Sequence, residues 1–170
     1  MERYQIDQVI KRLNLQKHPQ EGGYFVETYR SGETIETATD SSDITVVRSL
    51  CTAIYFLLTP DTFSEMHRLP FHEMYHFYAG DRVEMLLLLP DGEGRIIRLG
   101  NDVLAGEEPQ FMVPAGVWQG SSLSAGGGFA LLGTTMTPGF DPQDYQSGER
   151  KPLSIRYPAH AERIRRLTRR

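Results

Sequence analysis

Apolar positions along the chain change period several times, and each change marks an element. Ile6, Val9, Ile10 and Leu13 recur at helical spacing between charged residues, which predicts an amphipathic helix over Tyr4 to Leu13 flanking a core made elsewhere. After Gly22-Gly23, where the backbone can turn, Tyr24 to Arg30 alternates in the manner of a strand. Ser31 to Asp43 is rich in Thr, Ser, Asp and Glu and has no apolar period, so it reads as a surface loop. Ile44 to Leu58 is dense in β-branched and aromatic side chains and stops at Thr59-Pro60. It reads as central strand, bent or interrupted near Arg48 to Cys51.

The next stretch, Phe63 to Gly80, reads as a hairpin turning at Leu69-Pro70 and closed by Gly80-Asp81. Apolar strands follow over Arg82 to Leu89 and Arg95 to Leu99, joined by the turn residues Pro90 to Gly94. Phe111 to Val113 and Val117 to Ser121 flank a turn at Pro114-Ala115-Gly116, and Phe129 to Met136 is a last apolar strand. Short strands punctuated by Gly and Pro predict an all-β sandwich or jelly-roll barrel, with short helices at the two ends. The closing helix is Pro158 to Leu167, with Ile164 and Leu167 on one side.

Length and composition suit one domain over residues 1–170. The net charge of -4 provides no field for polyanions, so nucleic acid is not an expected partner of the whole molecule. Five arginines (163, 165, 166, 169 and 170) crowd the C-terminus and read as a solvated helix face, with a phosphate or RNA contact as the alternative. The lone Cys51 cannot form an internal disulfide, and no stretch approaches the roughly 18 apolar residues of a membrane span. With no signal-like apolar segment at the N-terminus, a cytoplasmic location is the expectation.

Candidate chemistry gathers in FSEMHRLPFHEMYHFYAG, residues 63–80, which holds His67, His72, His76, Glu65 and Glu73. Buried groups of this kind must find partners, since an unpaired one costs about 1–3 kcal/mol. Strand alternation puts Glu73, Tyr75 and Phe77 on one face and His72, Met74, His76 and Tyr78 on the other. If Glu73 faces inward, His76 faces away and is expected to be a hydrogen-bonded structural imidazole, and His72 to lie at the surface. Trp118 and Gln119, just past a turn, offer a flat apolar face beside a directional amide, suited to a sugar or nucleoside ring. Arg30, Arg48 and Arg68 can hold a phosphate or carboxylate by bidentate contacts, or pair with Glu27 or Glu73.

His67, Glu73 and Gly80 resemble the first motif of the cupin superfamily, G-x5-H-x-H-x3,4-E-x6-G, and the stretch Pro114 to Gln119 resembles the second, G-x5-P-x-G-x2-H-x3-N. His18-Pro19, Glu21-Gly22-Gly23-Tyr24, Thr52 to Tyr55, His67-Arg68, His76 to Gly80, Val113 to Gly116 and Pro138-Gly139-Phe140 look like signatures of one branch, cupin family five, a domain of unknown function. The resemblance implies a double-stranded β-helix, a ligand in its lumen and, commonly, a homodimer.

Cupin metal sites usually hold iron, manganese, nickel or zinc on two His and a Glu from the first motif and a His from the second. In this chain Leu69 stands at the second His and Gln119 at the last, so His67, Glu73 and Gln119 are the ligands if a transition metal is present; none is expected. Metal-free cupins that epimerise nucleotide sugars use a barrel His as acid or base. By that likeness of fold, His67 with Glu73 would transfer protons on a sugar or nucleotide-sugar derivative, beside ligand contacts from Tyr24, Arg68, Tyr75, Trp118 and Gln119, with Tyr24, Tyr75 or Tyr78 as an opposing acid. The alternatives are a ligand-binding cupin without turnover and a metal-dependent isomerase or dioxygenase.

Overall fold

The computed structural model describes residues 3–38 and 45–169. In chain order they form α1 (Arg3–Arg12), β1 (Gln16–Lys17), β2 (Tyr24–Arg30), β3 (Thr34–Ala38), β4 (Thr45–Ser49), β5 (Thr52–Leu58), β6 (Ser64–Arg68), β7 (Glu73–Gly80), β8 (Val83–Leu88) and β9 (Gly94–Leu99). The remainder is β10 (Gln110–Val113), β11 (Trp118–Leu123), β12 (Ala130–Met136), β13 (Gln146–Ser147), α2 (Arg150–Arg156) and α3 (Ala161–Arg166), with single 3-10 turns at Val103–Ala105, Pro142–Asp144 and Pro158–His160. Two antiparallel sheets face each other as a jelly roll: β1-β2-β5-β12-β7-β10 on one side, β13-β6-β11-β8-β9 on the other. Among the described residues no helix is long and apolar enough to cross a membrane.

Three layers of packing follow from strand alternation. Inward residues of both sheets, including Phe56, Leu58, Tyr75, Phe77, Met85, Leu87 and Leu132, fill one end of the roll. Their outward neighbours meet the helices. Leu57, with Tyr24, Tyr55 and Leu131, packs under Ile6, Val9, Ile10 and Leu13 of the α1 region. Met66, Leu86 and Leu88 pack under Leu153 of α2 and Ile164 and Leu167 at α3, as the period of the C-terminal stretch anticipates. Each fully buried apolar side chain contributes about 1.5–3 kcal/mol.

Three expectations change. The stretch 63–80 is not a hairpin: β6 pairs with β11 and β13, β7 with β12 and β10, so the Leu69-Pro70 turn carries the chain from one sheet to the other. Pro114-Ala115-Gly116 makes the same crossing, and the two turns are tied by a Gly116 N–H to Leu69 O bond of 2.8 Å and an Ala115 N–H to His72 Nδ1 bond of 3.1 Å. Within Ser31 to Asp43, residues Thr34–Ala38 form β3, paired with β4 as an exposed ribbon; its polar side chains face solvent almost throughout, so no apolar alternation marks it. The rest of that loop, 39–43, lies outside the described residues. Helix α2 lies in a stretch over which no element is predicted, because Leu153 alone is buried there and leaves no apolar period.

Candidate functional site

The end of the roll not filled by apolar side chains encloses a cavity of about 210 Å³. Glu73, Thr134, Met136, Thr52, Ile54, Phe25 and Glu27 line it from one sheet, His67 and Leu69 from the other, and His18, Glu21, Phe140 and Tyr145 from loops. His67 reaches it through a bulge. Gln119 pairs with His67 and Ser121 with Ser64, so three steps of β6 oppose two of β11, and the extra residue puts Ser64 and His67 on the same inward face while Met66 points out.

The His67 side chain is buried, and its Nδ1 lies 2.7 Å from the carbonyl oxygen of Glu65. A carbonyl only accepts, so Nδ1 carries the hydrogen and Nε2 carries the lone pair. No protein partner takes that lone pair among the described residues. The ring stacks on Tyr145, centroids 4.9 Å apart and planes 18° from parallel. Burial holds the imidazole below its ordinary pKa, against the opposing pull of Glu73. Glu73 is pushed the other way: burial raises its carboxyl, with His67 and the hydrogen bond from Gln119 Nε2 (2.7 Å) opposing. Both shifts favour a neutral pair over an ion pair.

A second buried pair adjoins the first. His18 Nδ1 accepts the backbone N–H of Glu21 at 2.9 Å, and its ring is wedged 4.6 Å from that of Phe25. Glu21 accepts a hydrogen bond from Ser64 Oγ, and burial raises its carboxyl too. Gly22 and Gly23 make this possible. Both have positive φ, and a Cβ at Gly22 would collide with the carbonyl of Phe63, so only glycine lets the loop close on the start of β6, where the Glu65 N–H bonds Glu21 O at 2.8 Å. Tyr145 follows the Pro142–Asp144 turn, which Arg48 braces through a bidentate pair with Asp144 (2.9 and 2.7 Å). The Tyr145 hydroxyl is buried without a hydrogen-bond partner, and burial raises its pKa far above the ordinary phenol range.

Of the residues singled out in the sequence, the fold brings His67, Glu73 and Gln119 together, Gln119 lying behind the carboxylate. Tyr75 faces inward but is fully buried in the apolar core as the floor of the site. Tyr24, Arg68 and Trp118 are placed outside the cavity. Arg68 and Trp118 are chain neighbours of His67 and Gln119, and alternation turns them to the opposite face. There the guanidinium sits 4.7 Å over the indole and donates to Gln146 Oε1 at 2.7 Å. Tyr24 packs under α1. His76 bonds Thr135 Oγ1 (3.0 Å) and Gln110 (3.1 Å), and Tyr78 is about half exposed. Arg30 lines the cavity while paired bidentately with Glu27, at 2.9 and 2.7 Å.

The metal set drawn from the motif does not fit. Among the described residues no three His, Cys, Asp or Glu side chains stand close enough to share an ion. Gln119 turns its amide nitrogen to Glu73 and leaves Oε1 buried without a partner, a neutral oxygen where the motif has an imidazole, and the aliphatic Leu69 fills the second His position. Sequence reasoning passed over Tyr145 and Ser64, and took His18 and Glu21 only as signature residues. The loop residues have no period to betray their direction, and the inward turn of Ser64 depends on the bulge.

Comparison with known proteins agrees with this architecture. The family model Cupin_5, described as cupin superfamily (DUF985), matches residues 7–147. The uncharacterized protein YML079W of Saccharomyces cerevisiae is 34% identical over 149 residues, 82% of this chain and 73% of its own length. Protein SO0799 from Shewanella oneidensis is 39% identical with a TM-score of 0.82 over 96% of each chain. A hypothetical protein from Leishmania major is 33% identical with a TM-score of 0.85 over 95% of this chain and 97% of its own. A Bacillus subtilis oxalate decarboxylase variant, 14% identical, shares the fold alone, with a TM-score of 0.55 over 91% of this chain and 37% of that one. The chain belongs to the Cupin_5 family of the cupin superfamily, a domain whose function is not known.

Proposed function

We propose that this cupin encloses a small polar molecule, or the sugar end of a larger one, and acts on it by metal-independent proton transfer, as an epimerase or isomerase does. One observation carries the reading: the His67 ring is locked by the Glu65 carbonyl, its Nε2 is left bare among the described residues, and the side chain lines the cavity. A neutral imidazole in that state is a base ready at neutral pH. Of the groups around the ring, Glu73 in its ionised form most favours the imidazolium that forms. At about 210 Å³ the cavity is smaller than the roughly 300–1,000 Å³ of drug-sized pockets, which suits a monosaccharide or one moiety of a nucleotide sugar. Apolar lining by Phe25, Ile54, Leu69, Met136 and Phe140 supports a second reading, binding without turnover.

The test begins with a ligand-observed NMR screen of sugars, sugar phosphates and nucleotide sugars, followed by incubation of each hit in D2O to detect exchange of a carbon-bound hydrogen. His67→Asn is expected to keep binding and to lower the exchange rate about 10²–10⁴-fold, the usual worth of a general base. Binding with no exchange in the wild-type protein would establish the second reading instead. Exchange undiminished in His67→Asn would remove His67 as the base.

A further inference from the structure

His18 and His67 present opposite tautomers to the same cavity. His67 gives its Nδ1 hydrogen to the Glu65 carbonyl at 2.7 Å, leaving Nε2 as an acceptor. His18 Nδ1 accepts the Glu21 N–H at 2.9 Å, and that of Gln20 at 3.4 Å, so its hydrogen must sit on Nε2. Among the described residues that N–H finds no acceptor in range: Glu21 Oε2 is 4.0 Å away, too far for a hydrogen bond. His18 lines the cavity with only 9% of its side chain exposed, so the unspent donor is almost wholly withdrawn from solvent. Tyr145 stands between the two rings, 6.4 Å from His18 and 4.9 Å from His67, and its hydroxyl is likewise unpartnered.

A base and a neutral donor on one small cavity match a particular kind of guest. We propose that His18 is the electrophilic partner of His67, and that the cavity takes an α-hydroxy carbonyl compound of few carbons, a short aldose or ketose unit, whose carbonyl oxygen accepts the His18 Nε2 hydrogen. This rests on the role of His67 as base. The C–H bond next to the carbonyl breaks, its proton goes to His67 Nε2, its electron pair forms the new C=C bond, and the carbonyl π pair moves to oxygen. His18 Nε2–H, on a side chain only 9% exposed, stabilises the enolate oxygen, and a hydrogen bond withdrawn from water is worth more than one in it. For isomerisation the His18 Nε2 hydrogen passes to the former carbonyl oxygen and is replaced by the proton of the α-hydroxyl, whose oxygen then forms the new C=O as His67 returns its proton to the former carbonyl carbon. Return of the proton to the original carbon instead regenerates the compound with solvent hydrogen exchanged. No oxidant or reductant is required. Burial also keeps the His18 ring below its ordinary pKa, against the pull of Glu21, so it serves as a neutral donor.

The tautomers are read from the free protein by long-range 1H-15N NMR of 15N-histidine-labelled protein at mildly alkaline pH. His67 is expected as the Nδ1–H form and His18 as the Nε2–H form; the opposite form at either position overturns the proposal whatever the variants do. Glycolohydroxamate, a planar mimic of an enediolate, is then titrated by calorimetry. His18→Asn keeps an acceptor for the Glu21 N–H and removes the cavity donor, so it is expected to melt as the wild type and bind the hydroxamate about tenfold or more weakly, with His18→Gln, which restores a donor, recovering most of the loss. Equal affinity in His18→Asn overturns the role of His18. A wild-type protein that ignores the hydroxamate overturns the carbonyl class, while His67-dependent exchange in some other ligand would still uphold the base; failure of both experiments removes both readings.

Discussion

His67→Asn also tests the resting charge of the site, on which its use as a base depends. Asn retains a donor near the position of Nδ1, so the bond to the Glu65 carbonyl is kept while the titrating ring is lost. Burial lowers the folded-state pKa of His67 from its ordinary 6.5, with Glu73 opposing. A base shifted in that direction contributes full stability above 6.5, and this is lost as pH falls toward the folded value, because the unfolded chain takes up a proton that the folded chain refuses. The loss grows as pH falls below 6.5, at a limiting rate of about 1 kcal/mol per pH unit while the ring stays neutral. The carboxylates act in the other sense: Glu21 and Glu73 are raised by burial, so their contribution is whole below 4.5 and is lost as pH rises through their folded values. Urea denaturation of both proteins at about pH 7.5, 6.5 and 5.5 reads the difference, in which Glu73, itself sensitive to His67, must be accounted for. Relative to wild type, His67→Asn should gain stability on going to the lowest pH, by up to about 1 kcal/mol. Repeating the comparison in Glu73→Gln removes the carboxylate that His67 feels most. Parallel stability curves would mean that the folded ring titrates as it does in the unfolded chain, and a His67→Asn protein that loses stability relative to wild type at low pH would mean that the fold holds an imidazolium; either result removes the neutral resting base argued here.

Other expectations are simpler to check. Tyr145→Phe removes a buried hydroxyl that has no partner, so thermal melting should show stability unchanged or raised by up to about 1–3 kcal/mol, while titration of a cavity ligand shows weaker binding. Arg48→Ala strips the bidentate partner from Asp144, whose pair is only 6–10% exposed, and should cost about 1–3 kcal/mol in urea denaturation, part of it recovered in Arg48→Ala/Asp144→Ala. Gly120→Ala puts a Cβ 2.7 Å from Met66 Sδ and 3.1 Å from its backbone, so the bulge carrying His67 must shift; a loss of about 1–3 kcal/mol in melting experiments is expected, along with a changed His67 NMR signal.

The jelly roll was legible because its strands keep strict period and its turns carry Gly and Pro. Tyr24–Arg30 matches its predicted bounds, and the inward triad Glu73, Tyr75 and Phe77 follows from alternation alone. What period does not carry is the sheet to which a strand belongs. Leu69-Pro70 reads as a hairpin turn, yet β6 and β7 find partners far along the chain. Grouping neighbours into one site failed for a related reason: Arg68 is adjacent to His67 and Trp118 to Gln119, so each sits on the wrong face of its strand. His18 and Tyr145 sit on loops at opposite ends of the matched family region, and only the closed roll brings their rings together.

Folding and chemistry are divided between the two ends of the roll. Phe56, Leu58, Phe77, Leu87 and Leu132 at the packed end touch nothing polar that the reaction would use, while the ring directions of His18 and His67 are fixed by backbone atoms, the Glu21 N–H and the Glu65 carbonyl. Main-chain groups keep these positions whatever side chain occupies residue 21 or 65. An exchange of side chains around the cavity can therefore alter the guest without disturbing either tautomer or the core. A chain built this way can hold its acid-base apparatus constant while Phe25, Ile54, Leu69 and Met136 set the shape of what is admitted.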